Sequence, residues 1–239
     1  MGNVKEIMAV IPARGGSKGI LRKNLRKILD KPLIAYTIEA SLKSKYITRT
    51  VLSSEDDEIL SVAKEYGAQT LKRPMELACD SAKTAPVLLD VLEKLSHENY
   101  EADYIVLLQP TCPLRDENYI DSAFDFYFEA EYRGYDSCFS AFSSGTTHAK
   151  WKILHNNTLE GLYDYRIRPR RQDENEHYKM ITENGAFYAL KRQTMLETKD
   201  FIGFNPIAYI TDRVIDIDTI EDFKKVEDEL IKRKMNKNV

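Results

Sequence analysis

Short apolar runs alternate with segments of helical period along most of the chain. The first run, Ile7 to Ile11, is closed by Pro12, and a helix is expected from Pro32, where Ile34, Ile38 and Leu42 share a stripe. Thr50 to Ser53 reads as a second strand. Ser54 is the expected cap of the next helix, with Glu55, Asp56 and Asp57 near its positive end and Ile59, Ala63 and Tyr66 on its buried face. Val87, Leu88, Val91, Leu92 and Leu95 mark a third helix, and the continuously apolar Tyr104 to Leu108 predicts a central strand covered on both faces. A helix through Ile120, Phe124, Tyr127 and Phe128 and a strand from Ser137 to Phe142 follow. This pattern is that of an α/β fold with a mainly parallel sheet.

The alternation stops at Ser143. From there to Glu183 the chain is polar, rich in Arg, His and Asn, and holds the single Trp, Trp151, so residues 143–183 read as an excursion suited to an interface. Strands are expected again at Ala186 to Leu190, Pro206 to Ile210 and Arg213 to Ile217. A last helix is expected from Thr219 to about Lys232, with Glu221 and Asp222 in its first turn and Lys232, Arg233 and Lys234 near its end. One domain over residues 1–239, with the excursion inserted, accounts for the length, and no second catalytic domain is expected.

Composition narrows the classes. The 239 residues carry 35 Lys and Arg against 38 Asp and Glu, so the formal charge of −3 argues against a nucleic-acid coat. No run approaches the roughly 18 apolar residues of a membrane span, and the start of the chain has no leader pattern, so neither a membrane nor an export route is expected. Cys79, Cys112 and Cys138 are odd in number and far apart, which suggests neither a disulfide framework nor a zinc knuckle and makes the cytoplasm the expected compartment.

Candidate chemistry gathers where loops follow strands. Residues 12–27, PARGGSKGILRKNLRK, bring Arg14, Lys18, Arg22, Lys23, Arg26 and Lys27 together without an acid. Gly15, Gly16 and Gly19 allow positive φ and close backbone approach, so their amides can cradle phosphate while the bases neutralise it; the spacing fits neither a Walker loop nor GxGxxG. In a strand, Asp216 and Asp218 share one face with Ile217 on the other. Two carboxylates so placed suit Mg²⁺ and a triphosphate, although Asp218 or Thr219 can equally cap the last helix. A stiff loop, Gln109-Pro-Thr-Cys-Pro-Leu-Arg115, presents Gln109, Thr111 and Arg115; Cys112 reads as a small buried residue rather than a nucleophile. Arg166, Arg168, Arg170, Arg171 and Gln172, followed by Glu183, Asn184 and Tyr188, suit a substrate carboxylate and hydroxyls. His148, His155 and His177 have the spacing of neither a zinc motif nor a triad.

In order along the chain, IPARGGSKGI, KNL, RPMELACD, LLQPTCPLR, PRRQ, ENGAFY and IDIDT together resemble the acylneuraminate cytidylyltransferases (CMP-sialic acid synthetases) of bacterial type. The resemblance implies a Rossmann-like nucleotidyltransferase fold, a homodimer joined through the excursion, and transfer of CMP from CTP to the anomeric hydroxyl of a nine-carbon α-keto acid sugar. N-acetylneuraminate is the first expectation; legionaminate, pseudaminate, Kdo or a non-catalytic nucleotide binder are the alternatives. It also implies that Arg14, Lys18, Lys23 and Asn24 contact the nucleotide and its phosphates, with Arg14 and Lys23 catalytic. Arg73, Ala82 and Thr84 would fit cytosine and ribose, Asp216 and Asp218 would hold Mg²⁺, and Gln109, Arg170, Asn184 and Tyr188 would face the sugar. The chain departs from the family pattern at Glu55, where an aspartate is common, and at Thr182, where some members carry a base for the sugar carboxylate. It departs again at Ala149, and whether Lys150 or Lys152 is the basic residue of that segment is open.

Overall fold

In the computed structural model, residues 5–147, 150–155, 158–162, 164, 166 and 179–236 are described. The elements are β1 (Ile7–Pro12), β2 (Lys27–Ile28), β3 (Lys31–Pro32), α1 (Leu33–Lys43), β4 (Arg49–Ser54), α2 (Asp57–Glu65), β5 (Gln69–Lys72), α3 (Thr84–His97) and β6 (Tyr104–Leu107). Then come α4 (Tyr119–Glu131), β7 (Ser137–Thr146), β8 (Trp151–Ile153), β9 (Leu159–Gly161), β10 (Lys179–Lys191), α5 (Arg192–Thr198), β11 (Pro206–Ile210) and α6 (Ile220–Asn236).

Seven strands form one sheet in the order β11-β7-β10-β6-β1-β4-β5. All are parallel except β10, which runs against both β6 and β7. The apolar residues of β1 divide between the faces as the pleat requires: Ile7, Ala9 and Ile11 join Ile34, Ile38, Ile59, Phe124 and Tyr127 of α1, α2 and α4. Met8 and Val10 join Leu88, Val91 and Leu95 of α3 and Met195 of α5. Helices thus cover both sides, which is why β1 and β6 are apolar throughout. The chain moves from β1 outward through β4 and β5 and returns to β6 on the other side of β1. That switch point opens a crevice at the carboxyl edge of the strands, where α/β sheets bind ligands.

A smaller cluster fixes the rim of this crevice. Ile20 and Ile28, from the segment after β1, pack with Leu114, Ile217 and α6 residues Phe223 and Val226. Burial of Ile217 between exposed Asp216 and Asp218 ties that pair to the basic loop.

Several expectations are corrected. Residues 213–217 form no strand; the alternation of Asp216, Ile217 and Asp218 is held by the Ile217 N–H, which donates to the Thr111 carbonyl at 2.9 Å. Asp56, not Ser54, caps α2, accepting from the Glu58 and Ile59 amides at 3.0 and 3.1 Å, while Ser54 is buried. Leu42 is exposed rather than on the buried stripe of α1. The excursion is in part an extension of the sheet: Ser143, Gly145 and Thr146 of β7 pair with Ile181, Met180 and Lys179 of β10, and β8 pairs with β9 in a separate hairpin.

Arg115, one of the polar groups that the proline loop is expected to present at the sheet's functional edge, is instead buried. Its Nε donates to the Ala186 carbonyl at 2.7 Å, Nη1 to Thr37 Oγ1 at 3.0 Å and to the Cys112 carbonyl, and Nη2 to the Gln109 carbonyl at 2.9 Å. We expect Arg115→Met to cost at least about 3 kcal/mol, because hydrogen bonds from a charged donor contribute about 1.5–3 kcal/mol each and buried carbonyls are left unpaired. Urea unfolding checks this. A midpoint unchanged from wild type would show that the loop holds its shape without the clamp.

Candidate active site

Two cavities meet at the carboxyl edge of the sheet. The first, about 320 Å³, lies between the basic loop and the start of α3 and is lined by Arg14, Lys23, Asn24, Arg73, Ala82 and Thr84 among others. The second, about 690 Å³, lies against the β7–β10 ribbon and is lined by Thr182, Glu183, Asn184 and Tyr188. Gln109, Asp216 and Asp218 line both. The loop after β1, the loop after β6 and the segment before α6 therefore converge on one junction.

On the side of the first cavity the bases have distinct partners. Arg14 Nη1 and Lys18 Nζ reach the Asp80 carboxylate at 3.0 and 2.8 Å. Asp80 is held below the usual carboxylate range, chiefly by the Lys18 hydrogen bond. Lys23 Nζ donates to the Ile217 carbonyl and lies 3.4 Å from Asp218 Oδ1, so it links the basic loop to the carboxylate pair. Arg22 faces the other way, onto Asp56 and Glu58, and Arg26 lies over the Phe223 ring. Those two bases support structure. Asn24 Nδ2 donates to the Arg14 carbonyl at 2.9 Å, while its buried Oδ1 has no partner among the described residues. That orphaned acceptor suits a hydroxyl or amine donor from a ligand better than a phosphate oxygen. Among the described residues no side chain caps α3 at its start near Thr84, so its positive end, beside the cavity, favours an anion.

Glu55 is a residue whose role only the three-dimensional structure shows. Oε2 accepts from Arg73 Nε and Nη2 at 3.2 and 3.0 Å, and Oε1 accepts from the Gly15 N–H at 2.6 Å. Arg73, 5% exposed, is thus braced against the basic loop, and the Gly15 amide is already taken. The glycines also serve differently from expectation, since none of Gly15, Gly16 and Gly19 has positive φ. A Cβ on Gly15 would lie 2.5 Å from Asp56 Oδ2, and one on Gly19 would lie 2.5 Å from the Asp218 carbonyl oxygen, whereas Gly16 has open space. Close approach is the requirement at 15 and 19.

On the side of the second cavity, the bulge of β10 between Glu183 and Tyr188 brings Asn184 and Gly185 to the junction. Gly185 has φ +73°, and a Cβ there would lie 2.6 Å from Gln109 Oε1, so glycine lets Gln109 sit against the bulge. Asn184 is fully committed within the fold. Nδ2 donates to Tyr119 Oη at 3.2 Å and Thr211 Oγ1 at 3.0 Å, and Oδ1 accepts from the Ala186 N–H at 3.1 Å and from Ser140 Oγ. A bond from Asn184 to a ligand requires one of these to be given up. Tyr188 Oη donates to Glu183 Oε2 at 2.9 Å, and burial raises its pKa, so it is a neutral phenol. Arg168, Arg170, Arg171, Gln172, His148, Ala149 and His177 lie outside the described residues.

The cysteines follow their surroundings. Burial pushes Cys112 and Cys138 up to about 12, and the Cys112 thiol donates to the Asn184 carbonyl at 3.2 Å, which is no setting for a nucleophile. Cys79 lines the first cavity, exposed, with its pKa lowered chiefly by the hydrogen bond with Ser81.

By fold this is an α/β domain of the nucleotidyltransferase type. The CMP:2-keto-3-deoxy-manno-octonic acid synthetase complexed with CTP superposes with a TM-score of 0.68 over 96% of this chain and 100% of that one, at 17% identity. The 4-diphosphocytidyl-2C-methyl-D-erythritol synthase of Anaerococcus prevotii superposes with a TM-score of 0.66 over 95% and 99%, at 13% identity. The chain belongs to the cytidylyltransferase family, whose model matches residues 8–235. It is 34% identical over 221 residues to an N-acylneuraminate cytidylyltransferase of Escherichia coli, covering 92% of this chain and 51% of that protein. It is also 34% identical over 228 residues to a pseudaminic acid cytidylyltransferase of Campylobacter jejuni, covering 91% and 93%. The chain therefore spans about half the length of the first relative and nearly all of the second.

The close approach at Gly19 gives a paired test. Gly19→Ala should destabilise the protein by about 1–3 kcal/mol, because a methyl group overlaps a backbone oxygen that cannot swing aside. Gly16→Ala should stay within about 0.5 kcal/mol of wild type. Equal melting temperatures for the two variants would count against the packing of the loop on Asp218.

Proposed function

We propose that the protein transfers CMP from CTP to the anomeric hydroxyl of a nine-carbon α-keto acid sugar, with N-acetylneuraminate the first candidate, and releases pyrophosphate. The observation that carries this reading is the shared junction: two cavities of different chemistry meet at Gln109, Asp216 and Asp218. The basic cavity suits the nucleotide. Arg14 and Lys18 would leave Asp80 for the triphosphate, Lys23 would serve phosphate beside Asp218, and Arg73, Ala82 and Thr84 would bound the cytidine. Asn24 Oδ1 is available to a nucleoside hydroxyl.

The acceptor would enter by the second cavity, with Gln109 and Tyr188 on its walls, and Arg170 is assigned to the sugar carboxylate by family resemblance. The sugar hydroxyl attacks the α-phosphorus in line, the bond to the bridging oxygen breaks, and pyrophosphate leaves with the electron pair. Catalysis is then mainly positioning and charge stabilisation by Arg14 and Lys23. Among the described residues no histidine lines either cavity; the carboxylate junction or solvent would take the hydroxyl proton.

Asp216 and Asp218 would hold Mg²⁺. Both are exposed at the junction, and no group of three or more His, Cys, Asp or Glu suited to a metal occurs among the described residues. A two-carboxylate site fits Mg²⁺, which takes its remaining ligands from phosphate and water. When bound, the ion neutralises charge developing on the phosphoryl oxygens.

A second acceptor, pseudaminate, is favoured by one observation: the pseudaminate relative matches over nearly its whole length. Pyrophosphate release from CTP with N-acetylneuraminate, legionaminate, pseudaminate and Kdo, each against a control without acceptor, ranks these sugars. Silence with all four would defeat the transfer reading. Asp218→Ala should lower turnover by about 100-fold or more, with the loss greatest at limiting Mg²⁺. Turnover unchanged at limiting Mg²⁺ would remove Asp218 from the metal site.

The proposal includes a homodimer. Ile153 (75% exposed), Leu154, Leu159 (59%) and Ile181 leave an apolar surface on the hairpin and ribbon of the excursion, which a second copy would cover. Sedimentation should show a dimer that Ile153→Asp with Leu159→Asp converts to monomer; a wild-type monomer at micromolar concentration would refute the assembly.

A further inference from the structure

The second cavity is crowded with acid. Glu183, Asp216, Asp218 and Asp222 all line it, so an acceptor bearing a carboxylate is repelled unless a cation receives it. Among the described residues that line it, the cations are Arg213 and Lys225. Lys225 lies 3.7 Å from Asp222 on the next turn of α6. Arg213 makes no ion pair with a described residue, and its guanidinium carbon sits 5.5 Å from the centre of the Phe142 ring.

The position of that ring matters. Phe142 is the cross-strand partner of Thr182, which itself lines the cavity. A cation resting on Phe142 therefore reaches the same wall from a different part of the chain. Backbone on either side holds it there: the Thr211 N–H donates to the Ala141 carbonyl at 2.8 Å, and Val214 packs against the core. A guanidinium packed on an aromatic face keeps its edge N–H groups available, and that planar fork matches a carboxylate.

We propose that Arg213 is a specificity-determining residue that binds the carboxylate of the acid acceptor from the wall of the second cavity, as a further cation beside Arg170. The inference rests on the transfer reading for the identity of the acceptor, but its chemistry can be read without turnover. Calorimetric titration of each of the four acids, and of the methyl ester of the tightest, into wild type, Arg213→Ala and Arg213→Lys provides the test, with CTP titrated separately. Arg213→Ala should weaken the preferred acid by about 10- to 100-fold and leave CTP within about 2-fold. The uncharged ester should bind wild type and Arg213→Ala alike, and Arg213→Lys should recover part of the loss because it keeps the charge without the fork.

Equal weakening of acid and ester, an equal effect on CTP, or no effect on the acid would overturn the assignment, as would wild type binding none of the four acids. Binding of an acid lost in Arg213→Ala, without pyrophosphate release by wild type, would uphold the clamp and defeat the transfer reading alone.

Discussion

The site depends first on a buried positive charge that forms no ion pair with a described residue. Arg115 is surrounded by carbonyl oxygens of Gln109, Cys112 and Ala186 and by the Thr37 hydroxyl, and burial lowers its pKa. A buried charge is tolerated only when its hydrogen bonds are made, so these oxygens must stand where the guanidinium needs them. Three segments are fixed as a result: α1 through Thr37, the loop after β6, and the bulge of β10 at Ala186. Gln109 and Gly185 meet because both flank that clamp, and Cys112 fills the space beneath them. The stiffness of the junction is thus a property of the core, carried outward by one side chain.

The basic side of the cleft is braced in an analogous way by Glu55. Its two oxygens address Gly15 and Arg73, which lie after β1 and β5, on opposite sides of β4 in the sheet order. Relative to the aspartate common at this position in the resembled family, glutamate adds one methylene of reach, and that reach serves two partners at once. The consequence is a cavity wall whose arginine is aligned before any ligand arrives, so less ordering remains to be done on binding.

Much of the architecture was legible because it follows from period and burial. β11 begins and ends where the apolar run does, β1 and β6 are continuous apolar runs, and the basic loop and carboxylate pair do face one cavity. What escaped depends on partners distant in sequence. Nothing in the order of residues says that β10 is antiparallel, or that a bulge at Asn184 turns its amide inward to Tyr119, Ser140 and Thr211. The proline loop reads as a platform for Arg115, yet after such a turn the direction of a long side chain is set by whichever acceptors lie near, here a carbonyl 71 residues away. The same holds for Asp56. Ser54 is the obvious cap by type, but the strand runs on through it, and the cap falls to the next side chain able to reach the helix amides.

The net charge of −3 conceals how unevenly charge is arranged. Both proposed substrates are anions, and joining them requires that their repulsion be offset separately on each side of the junction. In the proposed reaction Arg14, Lys18 and Lys23 would do this for a triphosphate. At the junction the order reverses, with Asp216 and Asp218 presenting negative charge that suits a divalent cation between the substrates. Beyond it lies a wall whose carboxylates, Glu183 and Asp222, repel an acid sugar. A cation on that wall therefore offsets repulsion that every acid sugar meets, whichever sugar binds. Arg213, whose guanidinium lies 5.5 Å from the centre of the Phe142 ring, would meet this need with a planar group. Sugars that present their carboxylate at that point would then be distinguished by their remaining substituents against Gln109 and Tyr188, which would contribute shape and hydrogen bonding but no positive charge.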